Sequence, residues 1–518
     1  MTVQRMIRTR RGRRLLATAG TITLLTACGS QVPPSQFVGA QGDLGGAVAG
    51  GTGGGELAGG TKTGTTGGGS VAGGGTGVGG GTSGGGVTSG GGVTSGGGVT
   101  SGGGGTSGGG RTSSGSSKTG GGRTGGGTTS RGGSGQTGQT ASCSGFKNGD
   151  HISNSTIQLA NIADTSGPVS GLFAGAQQGL KAYVAYFNSQ STICGRHLQV
   201  EYLDSQTSSN GDQQASTTAC NDAFAIVGSM GAFDDGGAQT VSKCGIPDLR
   251  AAVTESARLQ SPVVYAAQSL NVNYQPTTYA DYYKKAFPGV SGKAAYLYIG
   301  AGAGQANGQA AIKMLKSRGY DIVYQAAVPV TEINYTGYVS KMQSAGVKYV
   351  QYTGSAQQAA GIAKAMAQQN FHPIWVLDPE AYNTAYTQNA GSAAENTHIW
   401  INALPFEEAS RSPEMQLYEQ WLQRTSPGAA PDYFGMYAWS AGRLFTDEAL
   451  KLGGKLNRQT LLQSLSHVDN WTGNGMTGPQ HVGAKITGTC YNFIVYKGGK
   501  WLREGPSGYT CGSTVKVG

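Results

Sequence analysis

From Ile157 onward, short runs of β-branched and aromatic residues alternate with longer stretches in which apolar side chains return every three or four positions. The first pattern fits buried strands and the second fits amphipathic helices, so their alternation predicts βαβ units around parallel sheets. Strands are expected at Ile157–Ala163, Leu198–Asp204, Ala225–Gly228, Asp248–Ala251, Ala294–Ile299, Ile322–Ala327, Tyr349–Thr353 and Ile374–Leu377, with His398–Ala403 extended. Between the first two, Leu172, Ala176, Leu180, Tyr183, Val184 and Phe187 share one face of a long helix that packs on the sheet. Near the end, Tyr491–Tyr496, Lys497-Gly498-Gly499 and Trp501–Arg503 predict a hairpin.

Before this patterned part the chain has a different character. Between about Gly39 and Thr140 it is glycine with serine and threonine, and GGGVTS repeats from Gly84 to Ser101. Such a stretch offers few apolar side chains to offset its ordering entropy, so residues 28–142 are expected to form a disordered tether. A glycine-rich coil of ~100 residues spans roughly 50–60 Å end to end. Residues 1–27 have the three parts of an export signal: Arg5, Arg8, Arg10, Arg11, Arg13 and Arg14, an apolar run from Leu15, and Leu25-Thr26-Ala27-Cys28. The last four resemble a lipobox, which implies lipidation of Cys28 and tethering to the outer face of a membrane. A transmembrane anchor is the competing reading, although about 12 apolar residues fall short of the length needed to span. General secretory and twin-arginine export both remain open.

Charge follows the same division. The formal +10 of the whole chain is concentrated in the first 142 residues. Residues 143–518 carry only +1, which argues against nucleic acid as a partner.

Six cysteines remain in the exported part: Cys143, Cys194, Cys220, Cys244, Cys490 and Cys511. An even number in an oxidising compartment favours three disulfides over zinc; no pair has CxxC spacing, and the histidines fall into no ligand motif. In a parallel sheet the residues ahead of successive strands share one edge, so pairings 143–194 and 220–244 need little distortion, and 490–511 would clip the terminal hairpin. The opposite edge, at the carboxyl ends of the strands, is then free for a ligand.

Catalytic signatures fail on context. Gly81–Gly85 fits a nucleophile-elbow pattern by letters but lacks the strand and helix that pattern needs. Gly300-Ala301-Gly302-Ala303-Gly304 follows a strand, yet Gln305 and Asn307 occupy the third-glycine positions of a dinucleotide fingerprint. The chain is therefore expected to be neither an enzyme nor a holder of a metal or cofactor.

The segment ANIADTSGPVSGLFAGAQQGLKAYVAYFN resembles the opening of the leucine/isoleucine/valine-binding family of type I periplasmic binding proteins. Ser166-Gly167-Pro168 stand at that family's turn, Leu172 or Phe173 at its ligand-facing aromatic, Gly179 at the glycine beginning its helix, and Asn188 at the asparagine closing it. The resemblance continues through LDSQTSSNGDQQASTTACNDAFAIVGSMGAF, GIPDLRAAVTESARL, YVQYTGSAQQAAGIAKAMAQQNF and WVLDPEAYN, in order, from about Ile157 to Ser513. It implies an α/β fold of two Rossmann-like lobes joined by three crossover strands, near Asn271–Pro276, Asn402–Phe406 and Asp469–Val482. The first lobe would comprise about 143–273 and 406–470, and the second about 274–405 and 471–518.

The resemblance also implies a function. A monomeric extracytoplasmic lipoprotein would close on a small polar solute, an amino acid or related compound, and deliver it to the permease and ATPase of an ABC importer. A ligand-sensing lipoprotein reporting to a membrane partner is the alternative. The family's ligand positions carry over to Leu172, Phe173, Ala232, Phe233, Thr254, Tyr274, Gly304, Ser355, Glu380 and Tyr382, with Glu380 facing the ligand's ammonium. Gly231-Ala232-Phe233 replaces an expected serine, and Ala303-Gly304 and Ser355-Ala356 replace expected tyrosines. These departures argue against an ordinary branched-chain amino acid and for a larger pocket.

Overall fold

The computed structural model describes residues 141–518; the export segment, Cys28 and the glycine-rich stretch lie outside them. The first sheet is wholly parallel, in the order β2-β1-β3-β4-β5, formed by β1 (Thr156–Ala163), β2 (His197–Asp204), β3 (Ala225–Val227), β4 (Asp248–Ala252) and β5 (Val264–Gln268). Alternation along β1 feeds two cores. Ile157, Leu159 and Ala163 face the helices Ala174–Gln190 and Tyr433–Leu452, while Ala160 and Ile162 face Ser209–Asp222 and Ala238–Cys244. The two helices on the inner face approach through glycine: a Cβ on Gly179 would lie 1.9 Å from the Gly435 carbonyl oxygen, and one on Gly175 would strike Asp432.

After β5 the chain crosses through β6 (Tyr274–Pro276) to a second sheet of β7 (Ala294–Ile299), β8 (Ile322–Val328), β9 (Tyr349–Thr353), β10 (Ile374–Leu377), β11 (Thr397–Ile401), β12 (Cys490–Lys497) and β13 (Lys500–Glu504). Its order is β13-β12-β11-β10-β9-β7-β8, with β12 and β13 antiparallel and the rest parallel. Two short strands close the chain: β14 (Thr510–Cys511) pairs with β12, and β15 (Thr514–Lys516) pairs with β6.

Three passages join the lobes, and they are laced to one another. Ser269 N donates to Gln480 Oε1 at 2.9 Å, Asn271 N to Thr487 Oγ1 at 2.8 Å, and Gly478 N to Asn402 O at 3.0 Å. The disulfides are Cys143–Cys194, Cys220–Cys244 and Cys490–Cys511. The third closes onto β14, a strand beyond the expected hairpin, where Cys490 and Cys511 are register partners.

Some elements differ from expectation. β5 was not anticipated: its five residues are all buried, so it shows no alternation, and two alanines weaken its strand signature. The helix expected to hold Leu172 starts at Ala174, more than a turn before Gly179. Asn188 does not close that helix, which runs to Gln190; its amide instead bridges to both backbone groups of Leu198 at the start of β2. No helix among the described residues is long and apolar enough to cross a membrane.

Candidate functional site

The carboxyl ends of both sheets face each other across a cavity of ≈ 390 Å³. That is within the range of about 300–1,000 Å³ typical of small-molecule sites. Both sheets place their first strand beside their third, and the resulting switch point is where open α/β sheets hold ligands.

The loop after β1 contributes Leu172 and Phe173, and the Phe173 ring meets Phe434 edge-on at 5.2 Å. The loop after β3 contributes Met230, Ala232 and Phe233, held by Asp164, whose carboxylate accepts from Ala232 N at 2.7 Å, Thr207 N at 3.1 Å and Ser205 Oγ at 2.6 Å. Burial pushes the Asp164 carboxyl up despite those three donors. Nearby, burial would also raise Asp204, but the Ser166 hydroxyl and the amides of Gln206, Thr165 and Ser166 outweigh it and hold that carboxyl down at about 2.

Thr254, beyond β4, lines the cavity while its hydroxyl donates to Gly231 O at 2.6 Å and its N–H to Asp234 at 3.0 Å. Beneath it lies a fully buried charge network. Arg258 reaches Asp248 at 2.7 Å and Asp212 at 3.1 Å, and Arg250 reaches Asp234 at 3.5 Å. Burial disfavours the Arg258 cation, but the three aspartates prevail and hold it protonated.

On the second lobe, Asp378 and Glu380 follow β10. Asp378 accepts from Gln351 Nε2 at 3.0 Å and from the Thr353 hydroxyl, which itself accepts from Tyr296 at 2.6 Å. Burial pushes Asp378 up to about 6. Glu380 lines the cavity and accepts from Gly354 N at 3.0 Å; burial, then the neighbouring Asp378, drive its pKa well above the ordinary carboxylate range. Two carboxylates without a cation favour the neutral acid until a positive charge arrives. Among the described residues, no lysine, arginine or histidine lines the cavity.

The lobes touch at the cavity's lip. Ala303 N donates to Ala232 O at 2.8 Å and Asn307 Nδ2 to Thr254 O at 3.2 Å. Gly302 makes this approach feasible: at φ 50°, a Cβ there would lie 2.6 Å from Ala232 O and 2.9 Å from the Phe233 ring.

Of the residues singled out in the sequence, Leu172, Phe173, Ala232, Phe233, Thr254, Gly304, Ser355 and Glu380 line this cavity. Gly304 does so for packing, since any Cβ would collide with Ile299. Tyr274 and Tyr382 do not line it. On β6 Tyr274 is exposed, while the next two residues, Gln275 and Pro276, are buried and line the cavity. A 3₁₀ turn carries Tyr382 away, so that its ring stacks on Phe406 and its hydroxyl donates to Glu407 at 2.6 Å. The sequence reading did not select Met230, Gln268, Tyr279, Asp378, Trp400, Asn402, Phe434 or Tyr491 as site residues, though all line the cavity. Position at a strand's carboxyl end would have found Asp378 directly, since β10 ends at Leu377 as expected, and Gln268, Trp400 and Asn402 once β5 was recognised and β11 was ended at Ile401.

Comparison with known proteins agrees with this geometry. A family model described as periplasmic binding protein matches residues 156–499. No curated protein matches the sequence. Among solved structures, the chain is similar to a leucine binding protein from Thermotoga maritima, with 15% identity, a TM-score of 0.58, and coverage of 68% of this chain and 98% of that one. It is likewise similar to a fatty acid ABC transporter substrate-binding protein from Thermomonospora curvata, with 16% identity, a TM-score of 0.61, and coverage of 69% and 94%. An R. palustris ABC transporter solute binding protein in complex with benzoate gives 17%, 0.58, 70% and 97%. With a family match over most of its length and two parallel sheets closing on one cavity, this chain belongs to the periplasmic binding protein family, with the type I fold.

Proposed function

We propose that this protein is the extracytoplasmic solute-binding component of an ABC importer, capturing a small organic molecule with an amine or comparable donor between its lobes. The observation that carries this reading is the Asp378–Glu380 pair, Asp378 buried and Glu380 half-buried at the cleft, with no cationic side chain lining the cavity. A buried charge of that kind is tolerable only when neutralised or paired, and a ligand's ammonium supplies the partner. The mainly apolar walls, with Leu172, Phe173, Met230, Phe233 and Phe434, move the expected solute from small and polar towards a carbon-rich body.

The reading includes the residue assignments around the cavity, the division into lobes and the lipid anchor. A lipid on Cys28 would hold the binding domain near its permease, and a glycine-rich stretch of ~100 residues behaving as a coil would let it range over roughly 50–60 Å. Cys28→Ser should release the protein to the soluble fraction; retention in the membrane would favour a transmembrane anchor. For solute capture, the test is thermal unfolding of the full chain against amino acids, amides, amines, polyamines and small carboxylates. A ligand of the native state raises Tm. A shift confined to one chemical class supports capture, and silence across all classes counts against it.

A further inference from the structure

The polar atoms of the cleft are unevenly engaged. On the first lobe, the donors that would meet an anion already serve the protein: Ala232 N and Thr207 N with Asp164, Thr254 N with Asp234, and the Thr254 hydroxyl with Gly231 O. Asn307, on the facing helix, gives its amide N–H groups to Thr254 O and Ala303 O. Gln268, at the end of β5, donates Nε2 to the Tyr433 hydroxyl at 3.0 Å and leaves Oε1 buried without a partner. That free atom is an acceptor. Ser269 Oγ is also buried without a partner, but it is a single neutral hydroxyl.

The second lobe's neutral donors stand beside its carboxylates, the wrong place for an anion. Ser355 accepts from Gln358 N, and Trp400 Nε1 is directed at Asp378. Ser355 follows Gly354, which bonds Glu380, and Trp400 lies in the same wall as Asp378. An anion drawn to either donor would meet both carboxylates at close range and be repelled. Of Glu380's two oxygens, one is taken by Gly354 N.

We infer that the cleft selects an organic amine without a carboxylate: one ammonium set against Glu380 and Asp378, on a carbon-rich body. This rests on the solute-capture reading and narrows it. An α-amino acid would bring its carboxylate into a chamber whose donors are engaged and whose charges are negative, and that desolvation would go uncompensated.

Isothermal titration of the full chain with two matched series tests this: 2-phenylethylamine, phenylalanine and 3-phenylpropionate, then 3-methylbutylamine, leucine and 4-methylpentanoate. In each series the amine should bind at least about ten-fold tighter than the amino acid, with no heat from the acid. Glu380→Gln should weaken the amines by about thirty-fold or more and leave 2-phenylethanol unaffected, whatever its starting affinity. Amino acids or acids binding as tightly as the amines would overturn the inference and leave solute capture standing. Absence of binding by every member would overturn both.

Discussion

The carboxyl ends of the two sheets occupy equivalent places in the same topology, yet they treat charge in opposite ways. Both sheets follow one winding order, β2-β1-β3-β4-β5 in the first and β8-β7-β9-β10-β11 in the second. In the first, Asp164 and Asp234 hold backbone amides of the cleft loops, and Asp212 and Asp248 pair with Arg258. Charge there is internal scaffolding, and the surface left for a ligand is apolar. In the second, Asp378 and Glu380 have hydroxyl, amide and backbone donors but no cation. Fold equivalence therefore does not make the two ends chemically equivalent: one end fixes its own loops, and the other leaves a charge for something else to satisfy.

The sharpest way to break this comparison is to remove the scaffold. Arg258→Ala leaves Asp212 without a cation in a fully buried site and Asp248 with Arg250 alone, which should cost about 3–5 kcal/mol of stability. Urea unfolding of the full chain measures it, and a loss below about 1 kcal/mol would mean the first-lobe network is not structural. Glu380→Gln should act on the other property. Amine affinity should fall by about 2–5 kcal/mol, the range for truncating one partner of a buried charge pair. Stability without ligand should hold or rise, because a repulsion has gone. If Glu380→Gln destabilised the empty protein as Arg258→Ala does, the two ends would be alike after all.

A third substitution separates the cleft from the edge opposite it. Cys220 and Cys244, 24 residues apart in sequence, are bridged ahead of β3 and β4, far along those strands from the cavity. Replacing both with serine should cost about 2–4 kcal/mol, mainly by freeing the unfolded chain. Ligand affinity, measured well below the lowered Tm, should stay within about two-fold. A larger change would show that the cleft depends on the far edge of the sheet.

How much of this was legible follows from how local each signal is. β1, β2 and β7–β10 announce themselves because branched residues in short runs between turns have few other places to go. The pairings 143–194 and 220–244 followed from the order of the strands, since residues entering neighbouring parallel strands meet at one edge, whereas 490–511 was expected to clip the hairpin and instead ties β12 to β14. What could not be read depends on distant partners. β6 pairs with β15 across more than 200 residues, and at that distant pairing Tyr274 stays exposed while Gln275 and Pro276 line the cavity. The position of Glu380 was legible through its motif; the engagement of the first lobe's donors, which decides what Glu380 must meet, depends on Asp164 and Asp234 reaching loops 68 and 20 residues away.

The smallest expected effect is also the most direct reading of the difference. In the ligand-free protein Asp378 is pushed up to about 6 by burial, and Glu380 is raised further by burial and by Asp378. The titratable groups around them, Tyr279, Tyr296, Tyr352 and Tyr491, are themselves raised and stay neutral across this range. An ammonium favours the ionised carboxylates, so its binding expels protons, and affinity should climb as pH rises from about 5 to 7, by at most about ten-fold per unit for each proton released. Stability of the empty protein should move the other way. Unfolded aspartate titrates near 3.9 and the folded Asp378 near 6, so between those values the native state holds more protons and loses stability as pH rises. Asp234, also pushed up to about 6, adds to that stability slope. It does not line the cavity, so it should leave the affinity slope alone. Asp378→Asn should therefore flatten the affinity profile, and Asp234→Asn should not. An affinity that instead rose toward acid pH would place the ligand's charge, and the role of this acid pair, the other way round.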